Sequence, residues 1–325
     1  MERGSPARPG PRNLVTGANG FVGRYLVDAL LARGEPVVAV TRGQSPARNP
    51  VAEWYSCDLV EGDVGAMLRQ TSPTHIFHLA GYSDAGASVR EPEAAWRDNL
   101  LATQRLLAGV RESGLSPRLL YVSSGLVYGR SDDRSEPFDE ASSLSPETPY
   151  ARSKVAAEQA VEVFGHDTGV EVIRARPFNH TGPGQPPRFA IPGFARQLAR
   201  IARGAEPPVL KTGNLDVERD LSDVRDVVAG YLLLMERGKP GEAYNLASGM
   251  SISMRKVVAR MVELSGLRVE VRTCETLVRA NDPARVRVSV DKLRRLGWTA
   301  RHTLDDTLTD TLAAWKRQGM DGMQE

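Results

Sequence analysis

The chain has 325 residues, 41% of them hydrophobic and 25% charged, and its 42 Lys and Arg balance 40 Asp and Glu to a net charge of +2. This length and composition fit one large α/β domain, or a principal domain with a smaller lobe, and exclude disorder as the dominant state. The charge balance argues against a nucleic-acid binder, because the most basic stretch, ARVRVSVDKLRRLGW, is broken by apolar residues and by Asp291.

The opening MERGSPARPGPR is rich in Pro, Gly and Arg and has no apolar stretch of the kind a signal peptide needs, so residues 1–11 read as a flexible leader. No later run approaches the ~20 apolar residues that span a bilayer, and the expected setting is cytoplasmic, away from membranes. Cys57 and Cys274 lie too far apart in sequence to suggest a disulfide framework, and neither they nor the histidines show metal-ligand spacing.

From Asn13 onward, short apolar or β-branched runs alternate with longer helical patterns. NLVT, PVVAV, HIFHLA, RLLYVSS and VEVIRARP read as strands. FVGRYLVDALLARG, PEAAWRDNLLATQRLLAGVRESG and TPYARSKVAAEQAVEVFGHDTG read as helices; in the second, Trp96, Leu100, Thr103, Leu106 and Leu107 recur near the helical period. Nearly continuous apolar strands separated by helices predict a doubly wound parallel sheet covered on both faces. After Arg176 the pattern loosens into the Pro- and Gly-rich RPFNHTGPGQPPRFAIPG, followed by mixed short elements.

The first strand runs into TGANGFVG, which places Gly17, Gly20 and Gly23 between a strand and a helix opening at about Phe21. Glycines so placed permit a tight turn, close approach of backbone to a pyrophosphate, and close helix–strand packing, with the helix N-terminus facing the phosphates. The second strand ends in Thr41 and Arg42, with no carboxylate for a ribose 2′-hydroxyl. A guanidinium there attracts a 2′-phosphate and favours NADP(H) over NAD(H); the competing reading is a solvated loop arginine. Asp58, in CDL, either meets the adenine edge or caps a helix. Residues 12–178 therefore read as a dinucleotide-binding domain. Residues 179–325 read mainly as a substrate lobe, with some segments returning to the first domain.

RLLYVSSGLVYG puts Ser124 at the carboxyl end of a strand, where open α/β sheets bind ligands. PYARSK follows, with Tyr150 and Lys154 one helical turn apart. A phenol with a pKa near 10 is a poor acid–base group at neutral pH, but a neighbouring ammonium favours its phenolate. Lys154 also suits the nicotinamide ribose, and Ser124 the substrate oxygen that Tyr150 protonates. Carbonyl reduction needs a general acid and an oxyanion partner, while the cofactor carries the hydride.

Together TGANGFVG, HLAG, SSGLVYG and PYARSK resemble the extended short-chain dehydrogenase/reductases, the NAD-dependent epimerase/dehydratase family, that act on nucleotide sugars. The resemblance runs from about Arg12 to Gly319. It implies a Ser124, Tyr150 and Lys154 triad. It also implies a cofactor site lined by Gly17, Asn19, Gly20, Phe21, Val22, Gly23, Arg42, Asp58, Leu59, Leu79, Ala80, Gly81, Asn99, Val122 and Pro177, together with Tyr150 and Lys154. Dehydratases of the family need an acidic pair after the serine; here stand Gly125 and Leu126, which cannot shuttle protons. RPFNHTGPGQ, GNLDVERDLSDVRDVV and GEAYNLASG are similar to the reductases of GDP-4-keto-6-deoxy-D-mannose that make GDP-D-rhamnose.

That likeness implies Asn179 at the sugar diphosphate, Arg219 at a phosphate, Arg279 at the diphosphate or nucleoside, and Asp282 near the nucleoside. Arginine suits a diphosphate because its fork reaches two oxygens. GYSDAGAS departs from the usual polar run, although Ser83 and Ser88 stand within it as candidate hexose contacts. His180 reads as a structural loop histidine. Kinship further implies a homodimer through Ala94–Val110 and Tyr150–Phe164, packed as a four-helix bundle. Two alternatives stay open: a 4-epimerase holding NAD tightly, and a non-catalytic dinucleotide sensor, which would tend to have lost the tyrosine or lysine.

Overall fold

The computed structural model describes residues 11–43, 52–130, 136–278 and 285–321. The expected leader lies outside them apart from Pro11. The chain forms two compact units. The first comprises Met1–Val122, Thr148–Arg174 and Leu234–Glu242; the second comprises Ser123–Glu147, Ala175–Leu233 and Ala243–Glu325.

The first unit opens with β1 (Asn13–Thr16), α1 (Phe21–Ala32), β2 (Val37–Thr41), β3 (Glu53–Ser56), α2 (Val64–Thr71) and β4 (His75–His78). It continues with α3 (Pro92–Trp96), α4 (Ala102–Ser113), β5 (Arg118–Val122), α5 (Pro149–Thr168) and β6 (Val172–Pro177), the last of which runs on into the second unit. The second unit carries β7 (His180–Thr181), α6 (Ala190–Ala202), β8 (Val209–Thr212), β9 (Glu218–Asp220) and β10 (Ser222–Asp223). After α7 (Val224–Arg237) come β11 (Ala243–Leu246), β12 (Ser251–Ser253), α8 (Met254–Ser265), β13 (Glu270–Thr273), α9 (Asp291–Arg295) and α10 (Leu304–Asp321).

Among the described residues, seven strands form one sheet in the order β11-β6-β5-β4-β1-β2-β3. The pairings of β1 with β2 and β4, β2 with β3 and β4 with β5 are parallel. Backbone bonds from Arg174 to Glu242 and from Phe178 to Leu246 advance together along β6 and β11, so that pair is parallel too. The strand order reverses at β1, between β4 and β2, and in such sheets the ligand crevice opens beyond the carboxyl ends at the reversal. β3 was not read from the sequence as a strand: EWYS is short and only half-buried, an edge strand with little apolar signal.

The first unit's core joins Leu14, Val38, Val40 and Ile76 of the sheet to Leu68, Leu106, Val161 and Phe164 of its helices. The second unit packs α6, α8 and α10 around Phe194, Leu198, Val257, Met261 and Leu308. Between α3 and α4 the helix makes one π turn, Arg97–Leu101. The extra residue in that turn shifts the helical register. Trp96, expected on the buried face with Leu106 and Leu107, is instead 39% exposed, while Asn99 is turned inward and buried. Single π turns of this kind recur at functional sites.

Candidate active site

The loop between β1 and α1 can be made only of glycine at its closest point. Gly17 has φ +69° and a Cβ there would stand 2.8 Å from the Ala80 nitrogen, at the end of β4. A Cβ on Gly23 would run into the Gly17 carbonyl. Gly20 N–H donates to Gly17 O at 2.9 Å, closing the turn, and Gly20 leads α1 with no side-chain cap. The first-turn N–H groups of α1 are thus not taken by a side chain of the cap, as anion binding at a helix start requires. Asn19 is exposed beside them, and Phe21 and Val22 begin the helix.

α5 starts where its sequence says it should. The Thr148 hydroxyl accepts from Ala151 N–H at 3.1 Å, and Pro149 occupies the first helical position, where its missing N–H costs nothing. Tyr150 therefore sits in the first turn. Its backbone N–H donates to Ser88 Oγ at 3.3 Å, and that hydroxyl donates to Ala85 O at 2.7 Å. Ser88 is fully buried, and both of these bonds anchor the start of α5.

Lys154, one turn on, is 5% exposed and donates to Val122 O at 3.0 Å, with its ammonium 5.4 Å from the centre of the Tyr121 ring. Burial lowers its pKa to about 8, and the charge of Glu158 works in the opposite direction. A Cβ on Gly81 would stand 2.5 Å from Asn99 Oδ1 and 3.4 Å from Lys154 Nζ, so these three groups crowd one spot. Asn99 Nδ2 donates to Ser153 Oγ at 3.0 Å, whereas its buried Oδ1 has no hydrogen-bond partner.

A lysine whose pKa is depressed on folding binds fewer protons in the folded than in the unfolded chain between about pH 8 and 10.5. Stability of the cofactor-free protein therefore rises with pH through that window, and below it the full cost, roughly 3 kcal/mol at most, is present. Lys154→Met is expected to raise the melting temperature at pH 7, with a gain that shrinks towards pH 10. Thermal melts at the two pH values check this.

On the adenosine side, Arg42 is 60% exposed and its guanidinium meets Asp98 at 3.0 Å. Asp58 Oδ1 accepts from Val60 N–H at 2.8 Å and from Glu61 N–H at 3.4 Å, which makes it the cap of that turn. Although desolvation raises its pKa, those backbone bonds and the charges of Arg97 and Arg42 hold it below the usual carboxylate value. Leu59 is buried; Leu79 and Ala80 are half-buried and Gly81 exposed beyond β4.

In the second unit, Ser124 Oγ accepts from Leu126 N–H at 3.2 Å, capping the 3-10 turn Gly125–Tyr128, and keeps its own hydrogen for another acceptor. Tyr128 behind it stacks on Phe138 and takes a hydrogen bond from Arg176. Pro177 is buried and Asn179 exposed. His180 Nδ1 donates to Phe178 O at 2.9 Å, a loop-holding role. Arg219 donates to Glu218 O at 2.7 Å. Ser83, in the first unit, is exposed, and Arg279 and Asp282 lie outside the described residues.

These features of the first unit fit a nicotinamide dinucleotide. The loop passes close to Ala80 at Gly17, where no side chain fits, a buried amide oxygen awaits a donor, and Lys154 has hydrogens left after Val122. Ser153 and Thr103, which bond Asn99, and Ser88, which bonds the Tyr150 N–H, were not read from the sequence as such. Only the π turn, invisible in the period of apolar residues, turns Asn99 towards them.

The chain belongs to the NAD dependent epimerase/dehydratase family, whose pattern it matches over residues 13–247. It is 35% identical to a GDP-6-deoxy-D-mannose reductase of Pseudomonas aeruginosa over 306 residues, 94% of this chain and 97% of that one. Among solved structures it is similar to RMD from Pseudomonas aeruginosa complexed with NADPH, with a TM-score of 0.84 and 34% identity over 95% of this chain and 100% of that one. It is also similar to a UDP-glucose 4-epimerase of Thermus thermophilus in complex with NAD, with a TM-score of 0.83 and 28% identity over 94% and 99% of the two chains. Among the described residues, no helix is long and apolar enough to cross a membrane.

Proposed function

We propose that this chain is an NADPH-dependent 4-ketoreductase of a nucleotide-linked 4-keto-6-deoxyhexose, converting GDP-4-keto-6-deoxy-D-mannose to GDP-D-rhamnose. The observation that carries the reading is similarity along nearly the whole chain to a GDP-6-deoxy-D-mannose reductase, with Ser124, Tyr150 and Lys154 all present. When bound, the nicotinamide supplies the hydride that reduces the C4 carbonyl. The Tyr150 phenol gives its proton to the carbonyl oxygen, so ketone, hydride and proton balance to a secondary alcohol. Lys154 would stabilise the phenolate left behind and hold the nicotinamide ribose, and its bond to Val122 O ties it to the end of β5. Ser124 donates its remaining hydrogen to the same substrate oxygen. Gly125 and Leu126, which follow it, offer no acid or base for removing water, so the reaction stops at reduction.

Gly17, Gly20 and Gly23 with the start of α1 take the pyrophosphate, and Asn99 Oδ1 accepts from the bound cofactor. Asn179, Arg219, Ser83, Arg279 and Asp282 are assigned to the sugar nucleotide. The enzyme acts in the cytoplasm as a homodimer through α3, α4 and α5, where Trp96, Leu101 and Val163 leave apolar surface exposed; light scattering at the mass of two chains checks that state. The reading itself is tested by incubating the protein with GDP-4-keto-6-deoxy-D-mannose and NADPH. Loss of NADPH absorbance with formation of a GDP-deoxyhexose supports it, and no oxidation overturns it.

One observation favours a second reading, a UDP-glucose 4-epimerase-like enzyme with tightly bound NAD: Arg42, the residue assigned to the 2′-phosphate, is paired with Asp98. Co-purifying cofactor and product without net NADPH use would mark it. A dinucleotide sensor has no need of the intact tyrosine and lysine. Arg42→Asp separates the cofactor readings. A charge-assisted bond is worth about 1.5–3 kcal/mol, and the substitution also sets a second carboxylate beside Asp98. The ratio of kcat/KM for NADPH over NADH is expected to fall at least about tenfold. A ratio that does not move makes Arg42 a solvated partner of Asp98.

A further inference from the structure

His78, the last residue of β4, is 1% exposed and lies between two threonines. Thr16, its register partner at the end of β1, has Oγ1 2.7 Å from Nδ1, and Thr103 of α4 has Oγ1 3.0 Å from Nε2. The neighbours decide which nitrogen carries the hydrogen. Thr103 Oγ1 donates to Asn99 O at 2.6 Å, so its one hydrogen is spent and it accepts from Nε2–H. Thr16 Oγ1 accepts from Ala80 N–H at 3.1 Å, so its hydrogen is free to go to a bare Nδ1. One ordered chain results, from Ala80 N–H through Thr16, His78 and Thr103 to the Asn99 carbonyl.

The two ends of this chain are the two halves of the dinucleotide cradle. Ala80 is the backbone against which Gly17 turns, and Asn99 sits in the π turn with its unpartnered Oδ1 beside Gly81 and Lys154. The Asn99 carbonyl lies in the turn where the helical register slips by one residue; Thr103, one turn on in the same helix, donates to it, and His78 on β4 is the group from outside the helix that fixes the Thr103 hydroxyl. Thr16 and Thr103 stand on opposite sides of the imidazole, so it is His78 that links the Ala80 end to the hydroxyl that holds Asn99.

We propose that His78 is a positioning residue for dinucleotide binding, acting in its neutral Nε2–H form through Thr103 to hold the π turn and Asn99 in register with the phosphate loop. The proposal rests on the reading that this cradle binds a nicotinamide dinucleotide. A protonated ring would present a second N–H to Thr16, whose hydroxyl already receives the Ala80 N–H and would have to reverse. The groups facing the ring agree with neutrality. Burial and the Lys154 ammonium push its pKa down to about 3, and the Tyr121 ring 5.9 Å away brings no charge.

The test measures NADPH dissociation constants, melting temperatures and turnover for the wild type, His78→Phe, Thr103→Val and the double variant, with His78→Gln as the conservative replacement. Phenylalanine keeps the ring and removes both bonds; glutamine retains a donor for Thr103. His78→Phe and Thr103→Val are each expected to weaken NADPH binding about tenfold, raising the cofactor KM while kcat at saturating cofactor stays within about threefold. The double variant should be no weaker than the worse single, and His78→Gln should recover most of the affinity. Loss of melting temperature with an unchanged dissociation constant would reduce His78 to a core residue and overturn the proposal, as would additive effects.

A wild type that binds no dinucleotide overturns the cradle reading itself, a different result from equal binding by wild type and variant. Should His78→Phe fail to fold, nitrogen NMR of the histidine-labelled wild type decides. A neutral Nε2–H ring that does not titrate between pH 5 and 8, the range in which a free imidazole changes charge, supports the proposal. A ring titrating near its ordinary pKa overturns it.

Discussion

Tyr150→Phe is expected to lower kcat by about 10²–10⁴-fold, the usual cost of losing a general acid, while NADPH and GDP-sugar affinities stay within a few-fold. The site explains why the loss should be confined to chemistry. Tyr150 is held by its backbone, through the N–H bond to Ser88 and its place in the first turn of α5, and the aromatic ring survives the substitution. The start of the helix is set by the Thr148 cap and Pro149, both of which the substitution leaves in place. Steady-state kinetics with titration of both ligands checks the result, and activity close to wild type would remove Tyr150 from the mechanism.

The second large effect is predicted for the phosphate loop. Gly17→Val should raise the dissociation constant for NADPH by about a hundredfold or more, equivalent to about 2.7 kcal/mol. Two causes act together. A β-branched residue at φ +69° is strained by its own backbone, and its Cβ would stand 2.8 Å from Ala80 N, so the loop or the end of β4 has to move. Gly34→Ala is the control: φ is +71° there, but nothing lies within 4 Å of the added carbon. It should cost stability of about 1 kcal/mol and leave the cofactor affinity unchanged. Equal loss of binding in the two variants would mean that general destabilisation, and not the approach to Ala80, carries the effect.

Much of this was legible in the sequence because it depends on local rules. Glycines spaced through TGANGFVG between an apolar strand and a helix have one economical use, and Thr148–Pro149 announces the start of α5, which fixes Tyr150 and Lys154 on its first two turns. The parallel sheet followed from near-continuous apolar strands separated by helices, since strands buried on both faces leave no polar alternation. The family likeness rested on the same local motifs.

Tertiary structure decided what depends on partners distant in the chain. Ser88 was a candidate sugar contact beside Ser83, and 62 residues separate it from the Tyr150 N–H that it accepts. Arg42 stood alone after β2 in the sequence, and the fold gives it Asp98, 56 residues away. The π turn could not be seen in the apolar period, because one inserted residue changes which side of the helix is buried without changing the composition of the segment. His78 looked like one more residue of an apolar strand. Its neutral form, its hydrogen on Nε2 and its link to Asn99 arise only when β1, β4 and α4 bring Thr16 and Thr103 to its two nitrogens, for a buried imidazole takes its proton arrangement from the donors and acceptors that surround it.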